Sequence, residues 1–295
     1  MQLQGSITAL TTPFTESGML DLGAWRAQID MQIRSGTAAV VVAGSTGEAA
    51  NLSDEEYSQL IELAAIRVAG RIPVLAGTGL SSTAKTIRQT KLAKDSGADV
   101  ALVVTPPYVR PTQAGLHAHY LAVADAAGIP VVLYNVPGRT GCDLQPQTVA
   151  RLCSHGNIIG LKEAVGDEAR WEELYPLASP AFSLLSGDDP TFVRAIAGGA
   201  QGVISVASNV VPAAFARICQ MLQDRNVAGA QVLDAGLRNL YDFLGVEPNP
   251  VPVKALMRLM GFGHGLRLPL LPLSEAHAGE TQKMLELCKT IEQSI

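Results

Sequence analysis

The sequence predicts an α/β fold, a (β/α)8 TIM barrel with a C-terminal helical appendage. Short β-branched runs recur eight times, and stretches of helical length separate them. The 295 residues suit one such barrel, which typically takes about 250 residues, plus a small addition. Apolar residues make up 47% of the chain and charged residues 17%, as expected for a parallel sheet that is buried on both faces.

The strands and helices of the predicted barrel alternate regularly along the chain. One helix is predicted over Asp54–Val68, where Ser53 and Glu56 form a capping box, and another over Thr83–Asp95, ending before Gly97. This alternation also fits a doubly wound sheet, but eight units favour the barrel. The predicted strands are Ser6–Leu10, Ala38–Val42, Ile72–Ala76, Val100–Val104, Val131–Tyr134, Ile158–Lys162, Phe182–Ser186 and Gly202–Val206.

After the eighth predicted strand the pattern changes to consecutive helices. We expect helices over Pro212–Asp224, Val227–Leu244, Val251–Met260 and Ser274–Gln293, with no further strand. The sequence therefore predicts a catalytic barrel over residues 1–225 and a C-terminal helical region over 226–295.

Composition and charge favour a small-molecule partner and exclude several other classes. The net charge of −5 is spread along the chain, without a basic cluster for nucleic acid. No apolar run is long enough for a membrane span, and Met1–Gln4 lacks the features of a leader, so we expect a cytoplasmic protein. The four cysteines are isolated, and we expect them to be reduced, with no metal and no cofactor.

In a barrel of this kind, catalytic groups project from the carboxyl ends of the strands. Lys162 ends the apolar run Ile158–Leu161, where burial disfavours its charged form and leaves a free amine that can attack a ketone. The alternative is a lysine that reaches solvent or pairs with Glu163 or a nearby aspartate. The spacing alone does not decide between the two.

Other polar side chains follow the strands at the same predicted rim. Tyr134 and Tyr108 could form a proton relay with the hydroxyl of Ser45, although buried tyrosines more often serve packing. The turn Ser45-Thr46-Gly47 can direct backbone N–H groups at a carboxylate, or it is a plain capped turn. Arg139 could bind a second carboxylate, or it is simply an exposed arginine.

Several motifs together resemble the pyruvate-dependent class I lyases and aldolases, and within them the dihydrodipicolinate synthase family. The similarity covers essentially the whole chain and implies the barrel fold. Its motifs are Gly44–Glu48, Tyr134–Thr140, Gly160–Glu163, Ser186–Asp189, Gly202–Val206 and Glu247–Lys254.

The resemblance implies a condensation of pyruvate with L-aspartate 4-semialdehyde to give 4-hydroxy-tetrahydrodipicolinate, in diaminopimelate and lysine biosynthesis. Lys162 would form a Schiff base with pyruvate and Tyr134 would be the acid and base acting on it. Ser45 and Tyr108 would complete the relay, with Tyr108 reaching in from a neighbouring subunit of a homotetramer made of two tight dimers.

The resemblance also implies how the two substrates are held. Thr46 and the backbone at Ile204 would bind the pyruvate carboxylate, and Arg139 the carboxylate of aspartate semialdehyde. Gly47 and Gly187 complete the expected substrate-binding residues.

Two alternatives remain at this point. Ser45 stands where threonine is commoner in the family, and Gly-Ser-Thr-Gly-Glu is also found in sialic acid lyases, so a retro-aldol lyase on N-acetylneuraminate or a 2-keto-3-deoxy sugar acid is the second candidate. Arg139 favours the synthase. A non-catalytic ligand-binding relative would have no reason to retain the relay residues.

One further departure concerns regulation. Lysine-inhibited relatives hold lysine at a subunit interface, and the corresponding positions here are Asp54, Tyr57, Ser81, Lys85 and Pro107. Lys85 places a cation near the expected position of the effector's ammonium group. We therefore expect weak or absent inhibition by lysine.

Overall fold

A computed structural model describes all 295 residues and confirms the predicted fold class. Eight parallel strands close into a barrel in sequential order, so that the first strand pairs with both the second and the eighth. The strands are β1 (Gly5–Ala9), β2 (Ala39–Val42), β3 (Val74–Gly77), β4 (Val100–Val104), β5 (Val131–Asn135), β6 (Ile158–Glu163), β7 (Ser183–Ser186) and β8 (Gly202–Ser205).

The strand ends lie within one or two residues of the predicted ones. The largest difference is in β3, which was predicted to begin at Ile72 but begins at Val74. Pro73 has no N–H group and contributes only its carbonyl, which accepts from Val40 at 3.1 Å. The Val74 N–H in turn donates to the Asp99 carboxylate at 2.8 Å, so the ladder starts at that residue.

Nine helices accompany the strands. The predicted bounds of α2 (Asp54–Val68) and α3 (Thr83–Asp95) are confirmed, and both hydrogen bonds of the capping box between Ser53 and Glu56 are present, at 3.1 and 3.2 Å. These helices are α1 (Leu22–Arg34), α2 (Asp54–Val68), α3 (Thr83–Asp95), α4 (Gln113–Ala127), α5 (Pro137–Thr140), α6 (Pro146–Leu152), α7 (Glu168–Leu174), α8 (Phe192–Gly198) and α9 (Pro212–Gln223).

The C-terminal region is helical, as predicted, but its helices are shorter. The single helix predicted over Val227–Leu244 is wrong: it breaks at Gly236, because glycine is a poor helix former and its N–H bonds back to the last turn. The helix predicted from Ser274 begins at Ala278, after a short 3-10 turn. The four helices are α10 (Val227–Ala235), α11 (Arg238–Leu244), α12 (Val251–Leu259) and α13 (Ala278–Gln293). None of the helices combines the length and apolarity that crossing a membrane would require.

Helix α13 packs back onto the barrel. Met284 and Leu285 of α13 belong to the same apolar cluster as Phe215 of α9. The half-buried Glu292 carboxylate accepts from the N–H groups of Ala213 and Ala214, at 3.2 and 2.9 Å, and so caps the first turn of α9. The predicted boundary between the barrel and the helical region, after residue 225, stays a prediction, because one apolar cluster contains residues from both sides of it.

A buried ion pair joins the turn after β2 to α12. The Lys254 ammonium bonds the Glu48 carboxylate, and both side chains are almost fully buried. The second oxygen of Glu48 accepts from the Arg267 N–H at 3.1 Å and from the Asn51 amide at 3.2 Å. The Lys254 nitrogen also lies 4.3 Å from the centre of the Phe14 ring. Since a buried carboxylate needs its partners, this pair holds the turn against the C-terminal region.

Replacing Lys254 should therefore destabilise the fold. We expect Lys254→Met to lower the free energy of unfolding by about 3–5 kcal/mol, because it leaves the Glu48 carboxylate buried and uncompensated. The double variant Glu48→Gln, Lys254→Met should recover most of that loss in urea unfolding. Equal destabilisation of the single and the double variant would contradict this role.

Candidate active site

Lys162 lies inside the mouth of the barrel, near the carboxyl end of β6. It stands directly opposite Tyr134 of β5 and Leu185 of β7 in the parallel registers. The residue is 5% exposed, and its Nζ lies 4.3 Å from the centre of the Tyr134 ring. The closed sheet thus places an amine and a phenol ring next to each other in the barrel mouth.

The surroundings of Lys162 favour the uncharged amine. Burial lowers its pKa to about 8; the charge of Arg139 acts in the same direction, whereas Asp189 opposes the shift. Lys162 makes no ion pair, since Glu163 points away and bonds Arg170 at 2.8 Å. At pH 7 a much larger fraction of this amine is therefore free than for a lysine with the ordinary pKa of 10.5.

The other buried lysine behaves differently. Lys254 is as inaccessible as Lys162, but its ammonium is paired with Glu48 and stacked over Phe14. Of the two, only Lys162 is buried without an acidic partner. Burial without neutralisation is the condition under which a lysine becomes a nucleophile, so the chemistry is expected at Lys162.

Tyr134 provides a protonated phenol beside this amine. Burial raises its pKa to about 12, Arg139 opposes the shift and Glu163 adds to it. Its hydroxyl makes no hydrogen bond within the chain and is free for a ligand in the mouth. Tyr134 also belongs to the apolar cluster in the barrel interior, together with Ile204 of β8. The phenol therefore keeps its proton at neutral pH and can donate it.

The segment after β7 packs against the Lys162 side chain. Gly187 packs on the Lys162 stem so closely that a Cβ there would lie 2.8 Å from Cε and 3.0 Å from Cγ. Asp189 is half-buried and accepts from the N–H groups of Val206 and Ala207, at 3.1 and 2.8 Å. Burial raises the pKa of Asp189 to about 6, and its carboxylate fixes the chain just after β8.

The turn after β2 presents free N–H groups. The backbone N–H groups of Ser45 and Thr46 donate no hydrogen bond within the chain, whereas the Gly47 N–H closes the turn onto Gly44 at 3.0 Å. Thr46 is buried and Ser45 is exposed. A Cβ at Gly47 would lie 3.1 Å from the Leu10 carbonyl oxygen, so the turn requires a small residue there. Two adjacent free donors form a site that suits a carboxylate.

Arg139 lies on the short helix α5, at the exposed edge of the mouth. Its Nη2 donates to the main-chain oxygen of Asn249 at 3.1 Å, and no carboxylate of the chain pairs with it. The Asn249 side chain in turn donates from Nδ2 to Oγ1 of Thr46 at 3.0 Å. One asparagine from the C-terminal region therefore contacts both the turn after β2 and Arg139.

The structure does not bring every predicted residue into one mouth. Tyr108 is 91% exposed and has a φ of 73°, so its side chain contacts little of its own chain. No hydrogen bond links Ser45 to either tyrosine. Within a single chain the predicted relay from Ser45 through Tyr108 to Tyr134 is not assembled.

Sequence reasoning assigned no role to Asn249, Asp189 or the Glu48–Lys254 pair. All four residues lie within the motifs Gly44–Glu48, Ser186–Asp189 and Glu247–Lys254, which was the one available signal. Their contacts join segments up to about 200 residues apart, and the sequence shows no local pattern for such contacts.

Comparisons with known proteins agree on one family. The model of the family described as "Dihydrodipicolinate synthetase family" matches residues 2–288. A 4-hydroxy-tetrahydrodipicolinate synthase of Stenotrophomonas maltophilia is 60% identical, covering 94% of this chain and 93% of the relative. The crystal structure of the chloride-inhibited dihydrodipicolinate synthase of Acinetobacter baumannii, complexed with pyruvate, superposes with a TM-score of 0.95 at 41% identity, covering 98% of this chain and 99% of that one. A monomeric dihydrodipicolinate synthase variant superposes with a TM-score of 0.94 at 38% identity, covering 97% of each chain.

The close contact at Gly187 gives a stability prediction. We expect Gly187→Ala to lower the free energy of unfolding by about 1–3 kcal/mol, because the new methyl group displaces the Lys162 side chain. Shortening that side chain should relieve most of the clash, so Gly187→Ala should cost clearly less in a Lys162→Ala background, where only the 3.2 Å contact with the Ala164 Cβ remains.

Urea unfolding of the unmodified protein, the two single variants and the double variant measures the coupling between Gly187 and Lys162. Gly156→Ala is the matched control, since a Cβ added at Gly156 would meet only open space. An equal cost of Gly187→Ala in both backgrounds would refute the contact.

Proposed function

The chain belongs to the dihydrodipicolinate synthetase family, and from that membership and the geometry of the site we propose that it condenses pyruvate with L-aspartate 4-semialdehyde to give 4-hydroxy-tetrahydrodipicolinate. The observation that carries the proposal is the buried, unpaired Lys162 amine beside Tyr134. The product places the reaction in diaminopimelate and lysine biosynthesis.

In the proposed first half-reaction the Lys162 amine attacks the keto carbon of pyruvate. The carbinolamine loses its hydroxyl group as water, and the phenol of Tyr134 supplies and recovers protons during these steps. The free N–H groups of Ser45 and Thr46, with the Thr46 hydroxyl, bind the pyruvate carboxylate. The main chain at Ile204, near the carboxyl end of β8, is the second proposed contact for that carboxylate.

In the proposed second half-reaction the imine loses a proton from the pyruvate methyl group and becomes an enamine. The enamine carbon attacks the aldehyde carbon of the second substrate, and the aldehyde oxygen takes up a proton. Arg139 binds the carboxylate of that substrate, because its guanidinium lies at the open edge of the mouth without an acidic partner. The amino group of the new product then attacks the imine carbon. The ring closes, and the C–N bond to Lys162 breaks.

Assembly completes the proposed site. Tyr108 projects from its own chain together with Val109, which is 52% exposed, and an exposed aromatic next to apolar surface is typical of an interface. We infer a homotetramer built from tight dimers, in which Tyr108 of one protomer completes the relay of its partner. The monomeric relative makes this a question for experiment.

Trapping with borohydride tests the nucleophile. With pyruvate and sodium borohydride, we expect a stable adduct on Lys162 by peptide mass mapping, none in Lys162→Ala, and an unchanged adduct in the exposed control Lys91→Ala. The reason is that reduction fixes the imine at the reacting nitrogen. An adduct at another lysine would contradict the assignment.

A second substitution separates the half-reactions. Arg139→Ala should form the pyruvate adduct normally but lower kcat/KM for aspartate semialdehyde by about 100-fold, as expected for the loss of a charged hydrogen bond of about 3 kcal/mol. If both the adduct and the condensation failed, the assigned role would be wrong. If the protein released pyruvate from N-acetylneuraminate or a 2-keto-3-deoxy sugar acid faster than it condensed pyruvate with aspartate semialdehyde, a retro-aldol lyase would be favoured instead.

Mixed oligomers test the shared relay. Lys162→Ala and Tyr108→Phe should each be impaired alone, whereas their co-expressed mixture should regain part of the activity. Each mixed dimer then contains one site with neither defect. A mixture that is no more active than its components would place Tyr108 in its own protomer's site or outside the reaction.

Lysine should inhibit the enzyme weakly or not at all. The Tyr57 hydroxyl donates to the Gly77 carbonyl and the Ser81 hydroxyl to the Pro107 carbonyl, both at 2.9 Å, and the exposed Lys85 adds a positive charge. These groups offer few acceptors to the ammonium group of a bound lysine, and the charge of Lys85 repels it. Initial rates measured against rising lysine test this, and near-complete inhibition by sub-millimolar lysine would overturn it.

A further inference from the structure

Asn249 is the one residue that contacts both proposed carboxylate-binding groups. It precedes α12, and its Nδ2 donates to Oγ1 of Thr46 at 3.0 Å. Its main-chain oxygen accepts from Nη2 of Arg139 at 3.1 Å. The two links use different parts of the residue, the side chain for one substrate and the backbone for the other.

We propose that Asn249 is a positioning residue that orients the Thr46 hydroxyl as a donor to the pyruvate carboxylate. This inference rests on the proposed function. A threonine hydroxyl has one proton and accepts through its lone pairs. The Asn249 amide supplies a proton to that oxygen, so the hydroxyl's own proton is left for another acceptor.

The remaining contacts of Thr46 leave that acceptor to be a ligand. The Thr46 hydroxyl makes no other hydrogen bond within the chain, and its side chain is buried. The N–H groups of Ser45 and Thr46 are also free. A carboxylate can only accept, so three donors held in advance lower the cost of binding it.

The Asn249 amide itself is poorly satisfied by the protein. Its Oδ1 is buried and has no hydrogen-bond partner within the chain. A buried polar atom without a partner lowers stability, so this side chain is placed at a cost to the fold. Its single side-chain hydrogen bond goes to Thr46, which ties the placement to the pyruvate site.

The two different links predict different effects on the two substrates. Substitution of the Asn249 side chain removes the bond to Thr46 but keeps the main-chain oxygen that holds Arg139. We therefore expect Asn249→Ala to raise the KM for pyruvate about 10-fold, with kcat and the KM for aspartate semialdehyde within about 2-fold. A general loosening of the fold would change both KM values together.

A double-variant cycle tests the dependence on Thr46. Thr46→Val should raise the pyruvate KM at least as much as Asn249→Ala, and adding Asn249→Ala to Thr46→Val should change it by less than about 2-fold. If Asn249→Ala leaves the pyruvate KM unchanged, or raises it equally in both backgrounds, the proposal is wrong.

A second variant keeps the test informative if the alanine variant is unstable. Asn249→Asp replaces the donor by an acceptor of the same shape, which draws the Thr46 proton away from pyruvate. It should raise the pyruvate KM more than Asn249→Ala does, and by a smaller factor in the Thr46→Val background, where charge repulsion alone remains. Asn239→Asp, at an exposed position of α11, is the control for the added charge.

The unmodified protein separates the two possible failures. If it forms no borohydride-trapped pyruvate adduct at Lys162, the proposed function fails. If it forms the adduct and Asn249→Asp leaves the pyruvate KM unchanged, the positioning role alone fails.

Discussion

The site depends on the desolvation of one amine, that of Lys162, in a barrel mouth that gives it no acidic partner. Three neighbouring features maintain this condition, although the charge of Asp189 acts against it. The parallel register sets Tyr134 beside the amine, Gly187 leaves room for its stem, and Glu163 is drawn outward by Arg170. Since Lys254 is equally buried but paired with Glu48, the missing counter-ion, rather than burial alone, distinguishes Lys162 and supports its proposed role as the nucleophile.

The C-terminal region contributes to the site as well as to the core. The Lys254–Glu48 pair anchors α12 against the turn after β2, and Asn249, at the start of that segment, contacts Thr46 and Arg139. The turn with the free N–H groups is thus held by two contacts with the C-terminal region, one at Thr46 and one at Glu48.

The sequence predicted the features that depend on local patterns, and missed those that depend on distant contacts. The β-branched runs predicted eight strands, and the capping box at Ser53 gave the start of α2. The break at Gly236 was missed because helical periodicity continues across it. The apolar run before Lys162 predicted its place at the end of a strand but left open whether its amine is buried or reaches solvent. The bond between Asn249 and Thr46 joins segments about 200 residues apart without any local signal.

The pKa of Lys162 tests the central claim most directly. Competitive labelling of the protein's amines with trace acetic anhydride across a pH series, followed by peptide mass mapping, measures the protonation of this residue without substrate. A midpoint near pH 8 is expected for Lys162, well below the ordinary lysine value of 10.5. A midpoint near the ordinary value of 10.5 would show that the amine is charged in the barrel mouth and would contradict the account.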